Sequence, residues 1–358
     1  MANGPDACFE GLREEDFPRN RSIAEQLRFL IRYAVLAPSE HNTQPWLFRV
    51  AKQSIEIYVD ETRALPVIDP DRRALWISCG AACLNLRLAM HYFGLQELLE
   101  VLPEADNPNL VACLTVMLTD CEATWEEKQL FRAIPRRRSS REQFDSRQIS
   151  LTLAVSLITA AGNEGTWLSL VRKQEKRQEL ADIILEADKQ LWSGQAFRAE
   201  LAHWLRNPED RNLDGLASER TELVLLQDPQ TDRGNISVDA QSLLASSLDW
   251  QEEYNKGKLN MLSGLVLGAP VLAVIGTFGD TPVDWFIAGQ AAEHVLLKAC
   301  SEGVQGSFVN QAIAIPALRS RLRATLQRSD YPQIVLRLGY GPTGPYTPRR
   351  LVEEMILP

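Results

Sequence analysis

The chain has 358 residues, of which 45% are hydrophobic and 24% charged, so its composition excludes a disordered or fibrous protein. Its net charge of −9 at pH 7 would repel nucleic acid, because nonspecific binding to phosphates depends on Lys and Arg. The six cysteines are scattered, no stretch approaches the ~20 apolar residues of a membrane-spanning helix, and the first residues lack the order of a secretory signal. We therefore expect a soluble cytoplasmic protein with neither a nucleic-acid nor a membrane partner.

The first third of the chain alternates helical and extended patterns. Apolar side chains recur at helical spacing before Pro38, and a later segment is apolar on several faces, which is typical of a buried helix. In chain order, the predicted elements are a helix at 22–37, strands at 46–50 and 54–59, a central helix at 75–93, a strand at 110–118 and an acidic connection at 120–127.

The same order then begins again. The predicted elements are a basic turn at 133–144, a helix at 151–161, strands at 167–171 and 270–275, a second central helix at 283–303 and a closing strand at 333–338. One offset of 209, which is 285 minus 76, aligns Trp76 with Trp285, Gly80 with Gly289, Ala82 with Ala291, Leu88 with Leu297 and Gly94 with Gly303. These matches favour an internal duplication over a chance likeness of two α/β halves.

Residues 173–262 interrupt only the second copy. This long segment is mostly polar and helical in pattern, with three tryptophans spaced through it. Insertions of such length in a compact domain are usually functional, so we expect a lid over a pocket.

Three local segments carry candidate binding chemistry. The polar loop (residues 38–46, PSEHNTQPW) groups amides, a carboxylate and hydroxyls that can bond the edge of a planar heterocycle, and the alternative is a polar turn. The arginine turn (residues 136–144, RRRSSREQF) suits a phosphate at a helix entry, and the alternative is a solvated linker. The tail (residues 338–350, LGYGPTGPYTPRR) could return further arginines to that phosphate, or lie on the surface as an arm.

Other types of site lack support in the sequence. Cys79 and Cys83 lie four residues apart on the predicted central helix, where core thiols are commoner than a metal site, and no metal is expected. Neither a GxGxxG nor a GxxxxGK[ST] motif follows a strand. His41 lies inside the polar loop and is a candidate to face the pocket, whereas the other histidines have no evident catalytic partner in the sequence.

The polar loop, the arginine turn, the helix-ending GVQGSF and the tail, in this order, resemble the nitroreductase superfamily of FMN enzymes. More closely they resemble its Acg-like branch of tandem-duplicated FMN-binding oxidoreductases. The resemblance runs from about Ser22 to the last residues. It implies an α+β nitroreductase-like fold, in which two diverged copies, 20–128 and 129–358, form an intramolecular pseudo-dimer with a helical, lid-like insertion at 173–262.

The resemblance also implies the binding residues. Those for the FMN phosphate and ribityl chain are Arg137, Ser139, Arg141, Arg350 and also Arg349. Those for the isoalloxazine ring are Pro38, Ser39, Glu40, Asn42 and Gln44, with the backbone near Gln305, Gly306 and Phe308 approaching flavin N5 and O4. No catalytic side chain is required, because the flavin itself carries the hydride chemistry.

Each copy keeps the motif that the other lost. The first copy begins with Asn20-Arg21-Ser22 and lacks the full arginine turn, whereas the second has AAGNEGTW, ending at Trp167, in place of the polar loop. One FMN per chain is therefore expected.

Two functions stay open at this point. One is hydride transfer from NAD(P)H to a small electron-poor acceptor such as a nitroaromatic or a quinone, and the other is flavin sequestration or sensing. A monomeric pseudo-dimer and a homodimer both remain open, as do the natural acceptor and the choice between NADH and NADPH.

Overall fold

A computed structural model describes residues 12–104, 106–117, 122–206, 212–217 and 251–358, with side chains from residue 260 onward in the last range. The elements of the first half follow the predicted order closely, and helix α1 begins with a capping box between Ser22 and Glu25. They are α1 (Ile23–Ala34), β1 (Trp46–Val50), β2 (Ser54–Val59), α2 (Arg73–Tyr92), β3 (Gln96–Val101), β4 (Leu110–Met117) and α3 (Trp125–Ala133).

The second half repeats this order around the insertion. Its first helix also begins after a capping serine, Ser150. Its elements are α4 (Leu151–Asn163), β5 (Trp167–Val171), α5 (Gln174–Ser193), α6 (Gln195–His203), β6 (Leu205–Arg206), β7 (Leu216–Ala217), α7 (Gln251–Gly268), β8 (Val271–Thr277), α8 (Pro282–Ser301), β9 (Gln305–Phe308), α9 (Gln311–Ala314), α10 (Pro316–Thr325) and β10 (Tyr331–Gly339).

The two main sheets have the same topology. Each has four antiparallel strands, in the order β1-β2-β4-β3 in the first half and β5-β8-β10-β9 in the second. Matching strands therefore occupy matching places, and each half follows its second strand with a long central helix. The fold is α+β and built from two diverged copies, as the sequence predicted.

The two central helices, α2 and α8, cross at paired glycines. A Cβ on Gly80 would overlap the carbonyl oxygen of Phe286, and a Cβ on Gly289 would overlap that of Ile77. Because both pairs are related by the offset of 209, the crossing has approximate twofold symmetry. The predicted alignment of the two copies is thus present in the packing of their central helices.

The insertion divides into two structural parts. Helices α5 and α7 pack on the face of the second sheet opposite α8, where they share a core with residues of β8, α9 and α10. Helix α6 and the short strands β6 and β7 instead extend toward the first half, where Glu200 accepts hydrogen bonds from the backbone N–H groups of residues 67 and 68. The parts of the insertion at 207–211 and 218–250, including Trp250, lie outside the described residues.

The end of the chain crosses from the second half to the first. After β10, residues 340–351 run without regular structure, and a short 3-10 helix follows at Val352–Met355. Ile356 then forms a parallel bridge with Phe48 of β1, and the N–H of Leu357 donates to the carbonyl of Phe48 over 2.7 Å. The last residues therefore border the first sheet.

Some predicted boundaries differ from the structure. The acidic connection predicted at 120–127 was wrong at its end, because Thr124 and Glu127 form the capping box of α3. Strands β3 and β9 and the helices at 311–325 were not predicted as separate elements. Within the described ranges, no helix combines the length and the apolar composition required to cross a membrane.

Candidate functional site

The polar loop is joined to distant parts of the chain through the side chain of Asn42. Its Nδ2 group donates to the carbonyl oxygens of Gly215 and Pro348, each over 3.2 Å. Its Oδ1 atom accepts from Arg349 over 3.2 Å. Asn42 thereby links the loop to the insertion and to the tail.

Gln44 makes a similar set of bonds. It is fully buried, and its Nε2 group donates to the carbonyl of Leu213 over 2.8 Å. Its Oε1 atom accepts from the N–H of Arg350 over 2.8 Å, while its own N–H donates to Ser39 Oγ over 2.9 Å. The two amides predicted to contact the flavin ring thus form intramolecular bonds, and their contact with a ligand stays a prediction.

Glu40 and His41 directly precede Asn42, and both lie near charged groups of the second half. His41 Nδ1 is 3.4 Å from the Glu40 carboxylate, and the two side chains are 10% and 29% exposed. Burial lowers the pKa of His41 to about 4, although Glu200 opposes this shift. Burial also raises the pKa of Glu40, against the effect of the Arg141 guanidinium. Arg141 therefore lies close enough to act on both groups.

Two buried arginines meet at the carboxyl end of α1, where backbone carbonyls are left without helical partners. Arg349 donates to the carbonyl oxygens of residues 35, 36 and 37 over 2.8 to 3.1 Å. Arg137 donates to the carbonyl of Leu36 over 2.9 Å and to the buried Glu293 carboxylate over 3.0 Å. These two predicted phosphate ligands thus fix the helix end that leads into the polar loop.

The arginine turn lies along the edge of the second sheet. Ser139 forms a parallel bridge with Gly306, and the N–H of Ser140 donates to the Gly306 carbonyl over 3.0 Å. Arg337, which is buried, donates to the carbonyl of Ser140 over 2.7 Å. The side chains of Ser139 and Arg141 are exposed. The structure therefore brings the turn together with the predicted segment at 305–308.

The tail completes this arrangement. A Cβ on Gly344 would lie 2.9 Å from the carbonyl oxygen of Ser139, so the tail passes directly against the arginine turn. The Arg350 side chain is mostly buried, with its guanidinium 3.8 Å from the Asp60 carboxylate. Gln305 and Phe308 of β9 are partly exposed beside the turn.

The equivalent position in the other half is occupied by an ion-pair network. Glu164 lies at the end of α4, where the second copy lacks the polar loop, and pairs with Arg87 over 3.1 Å and with His294 over 2.9 Å. Arg87 also donates to Gln290 over 2.9 Å. The residue that follows α4 is therefore engaged in ion pairs within the chain.

A second cluster fastens the insertion to the first half. Asp214 accepts from Arg63 and from Arg206, each over 2.9 Å. Burial alone would raise the pKa of Asp214, but these two guanidiniums outweigh it and lower that pKa. Arg63 also donates to the carbonyl of Thr43 over 2.8 Å, so the cluster borders the polar loop.

The donor set fits a planar ligand with an anionic end better than it fits a metal. Among the described residues, no group of His, Cys, Asp and Glu could hold a metal ion, and burial raises the pKa values of Cys79 and Cys83 well above their usual range. The exposed Ser139 hydroxyl and Arg141 guanidinium offer anion-binding groups. The buried His41 Nε2 has no hydrogen-bond partner in the described part of the chain, which leaves a polar atom for a ligand.

Several of these residues carried no recognisable signal in the sequence. Arg337 reads as an ordinary polar residue of a strand, and Glu293 as one residue of a helix. Asp214 follows a region of mixed charge. Only the structure assigns them to the site, because each acts on residues more than a hundred positions away along the chain.

Relatives with known names match nearly the whole chain, although no family model matches it. A Mycobacterium tuberculosis protein provisionally named NAD(P)H nitroreductase Rv3131 is 26% identical over 339 residues, covering 93% of this chain and 91% of the relative. The protein Acg of the same organism, provisionally named in the same way, is 22% identical over 342 residues, covering 94% and 97%.

Solved structures align with a smaller share. The FMN-dependent nitroreductase NfnB from Mycobacterium smegmatis, solved with NADPH, is 17% identical with a TM-score of 0.40, over 63% of this chain and 96% of its own. A nitroreductase with bound FMN from Desulfitobacterium hafniense is 16% identical with a TM-score of 0.37, over 62% and 93%. Over more than nine-tenths of its length, the chain is thus similar to curated relatives that are provisionally named NAD(P)H nitroreductases.

Proposed function

We propose that this chain binds one FMN and works as an NAD(P)H-dependent oxidoreductase of the nitroreductase type. The observation that carries the proposal is that the arginine turn of one half reaches the start of the polar loop of the other, where Arg137 donates to the carbonyl of Leu36 over 2.9 Å. The relatives named as nitroreductases support the same activity.

The chain's own residues divide the binding work. Ser139 and Arg141 bind the phosphate, with Arg350 at the border of the site. Arg137 and Arg349 hold the end of α1, so that Pro38, Ser39 and Glu40 start at a fixed place beside the ring. The backbone at 305–308 approaches the ring from the second half. FMN, when bound, supplies the hydride chemistry.

The acceptor is a small electron-poor molecule, such as a nitroaromatic or a quinone. Two observations support this class of acceptor. Hydride transfer from a flavin requires no acid–base side chains of the protein. The position of the insertion also favours a small molecule. Residues 213–215 bond to the polar loop, so this part of the insertion limits the approach of solvent and of large substrates. We also propose a cytoplasmic location, which agrees with the free thiols of Cys79, Cys83, Cys113 and Cys300.

A second function is favoured by the same contacts. Asn42, Gln44 and Arg63 all bond to residues of the insertion, and this could hold the site closed. In that case the protein sequesters or senses FMN and turns over little. The bonds to residues 213–215 are the specific observation for this alternative.

One experiment separates the two functions. The purified protein is loaded with FMN, its flavin content per chain is measured, and it is mixed anaerobically with NADH or NADPH in a stopped-flow instrument. We expect one flavin per chain and loss of the oxidised flavin absorbance within seconds. A flavin that stays oxidised with both nucleotides rejects the enzyme and favours sequestration, whereas a chain that binds no FMN rejects both.

A further inference from the structure

The backbone of the polar loop adopts a conformation that most side chains avoid. His41, Asn42 and Gln44 have positive φ angles of 49°, 53° and 51°. Residues other than glycine rarely occupy this left-handed region, and they persist there only when surrounding bonds enforce it. Asn42 and Gln44 supply such bonds through their amides, as described above. Of these three side chains, His41 is the one with a buried polar atom, Nε2, that has no hydrogen-bond partner among the described residues.

The surroundings of His41 define its protonation state. Its side chain is nine-tenths buried, and the charged groups that act on it are Glu40 of the same loop, Glu200 of the insertion and Arg141 of the arginine turn. Burial, together with the Arg141 guanidinium, outweighs the Glu200 carboxylate and lowers the pKa of His41 to about 4, so the imidazole is neutral near pH 7. A neutral ring has one nitrogen that donates and one that accepts, and Nδ1 already faces Glu40.

The other nitrogen, Nε2, is buried and has no hydrogen-bond partner among the residues that the structure describes. Buried polar atoms in native proteins nearly always have a partner, and the described residues offer none to this atom, so we look for its partner in a bound ligand. We propose that His41 Nε2 forms a hydrogen bond to the polar edge of the bound flavin ring. This inference rests on the proposed binding of FMN, and it assigns His41 to positioning the cofactor, with Glu40 orienting the imidazole.

Two variants of His41 test the inference because they retain different ends of the ring. Glutamine reaches about as far as Nε2, whereas asparagine reaches only as far as Nδ1. We expect His41→Asn to weaken FMN binding about tenfold, as loss of one buried hydrogen bond would, and His41→Gln to stay within about threefold of the natural protein. Affinity is measured by quenching of free FMN fluorescence, together with the absorption spectrum of the bound flavin.

The order of the two variants separates this role from a structural one. Asparagine tolerates a positive φ better than glutamine. If His41 served only the backbone conformation of the loop, His41→Asn would therefore bind FMN more tightly than His41→Gln. Tighter FMN binding by His41→Gln than by His41→Asn supports the hydrogen bond from His41 Nε2 to the flavin. His203→Asn, at an exposed histidine outside the polar loop, is the matched control and should leave FMN affinity unchanged.

The outcomes are distinguishable from failure of the proposed function. If the natural protein binds no FMN, the proposed function is wrong. If it binds FMN but His41→Asn binds equally well with an unchanged spectrum, or if His41→Gln is as weak as His41→Asn, the inference about His41 is overturned.

Discussion

Gly80 of α2 lies directly against the carbonyl oxygen of Phe286 in α8, with no room for a Cβ between the two helices. The reverse contact, Gly289 against Ile77, repeats it at an offset of 209. Close approach of two backbones requires a residue without a side chain on each helix. The two halves of the molecule therefore meet through an interface that behaves like that of a symmetric dimer.

Replacement of Gly80 by alanine should destabilise the protein by about 3 kcal/mol, because the added methyl group forces the two backbones apart. Gly162 also lies in a helix, but a Cβ added there would have nothing within 4 Å, so Gly162→Ala should be neutral or stabilise by about 0.5–1 kcal/mol. Urea unfolding of both variants measures the difference. Equal stabilities would show that the crossing is looser than described.

Arg141→Ala should weaken FMN binding by about 10- to 100-fold, since charge-assisted bonds to a phosphate are strong. Arg136→Ala is the matched control. Arg136 is also exposed and belongs to the same basic run, but its side chain donates to the carbonyl of Arg132. Isothermal titration with FMN gives both affinities. Equal losses in the two variants would indicate general attraction to the basic segment, without a specific ligand.

Asp214→Asn should loosen the insertion from the first half, because it removes the charge that pairs with Arg63 and Arg206. Both flavin reduction by NAD(P)H and proteolysis near residue 206 should become faster. The reason is that the contact between the insertion and the first half loses about 1–3 kcal/mol of stabilisation. Glu186→Gln, which removes an exposed pair with Arg321, should change neither. Unchanged rates in Asp214→Asn would mean that these ion pairs do not limit access.

His91 provides a prediction about pH. Burial lowers the pKa of His91, but hydrogen bonds with the carboxylates of Glu97 and Glu127, each over 2.6 Å, outweigh it and raise the pKa. A raised histidine pKa contributes stability that is complete below the unfolded value of about 6.5 and is lost as the pH rises through the folded value.

The stability difference between the natural protein and His91→Gln should therefore be larger at pH 6 than at pH 9, by about 1 kcal/mol. Unfolding in urea at both pH values measures it. His203→Gln serves as the control, since His203 is exposed. A difference that does not change with pH would mean that His91 is not charged in the fold.

The sequence predicted the helices and strands that bury either one face or all of their faces, because their apolar residues then follow a regular pattern. Strand β2 alternates Ile55 and Ile57 with polar neighbours, and its predicted bounds agree with the structure. Strand β3 was missed because it lies at an edge of the sheet and is only partly buried along its length, so its apolar residues follow no clean period. Helix α3 was missed because acidic residues at its start read as a loop, although they suit a helix N-terminus.

The sequence supplied the predicted members of the candidate site, which stay a prediction, and gave no sign of the contacts that the structure shows among them. Resemblance indicated that the polar loop and the arginine turn belong to one site. It gave no sign that Asn42 would bond to Gly215 and Pro348, which are 173 and 306 positions away along the chain. Single-sequence patterns report local spacing, whereas these bonds depend on how the insertion and the tail are placed by the whole fold.

The bonds of the polar loop also set an order of events during synthesis. The loop leaves the ribosome early, within the first fifty residues, but its partners at 213–215 and 348–350 emerge much later. Until then, a strained stretch of backbone has none of the bonds that enforce its shape. The nascent first half can therefore form its own sheet and central helix long before the polar loop has its final bonds. The conformation of the loop becomes fixed only after residues 348–350 have been synthesised and have reached it.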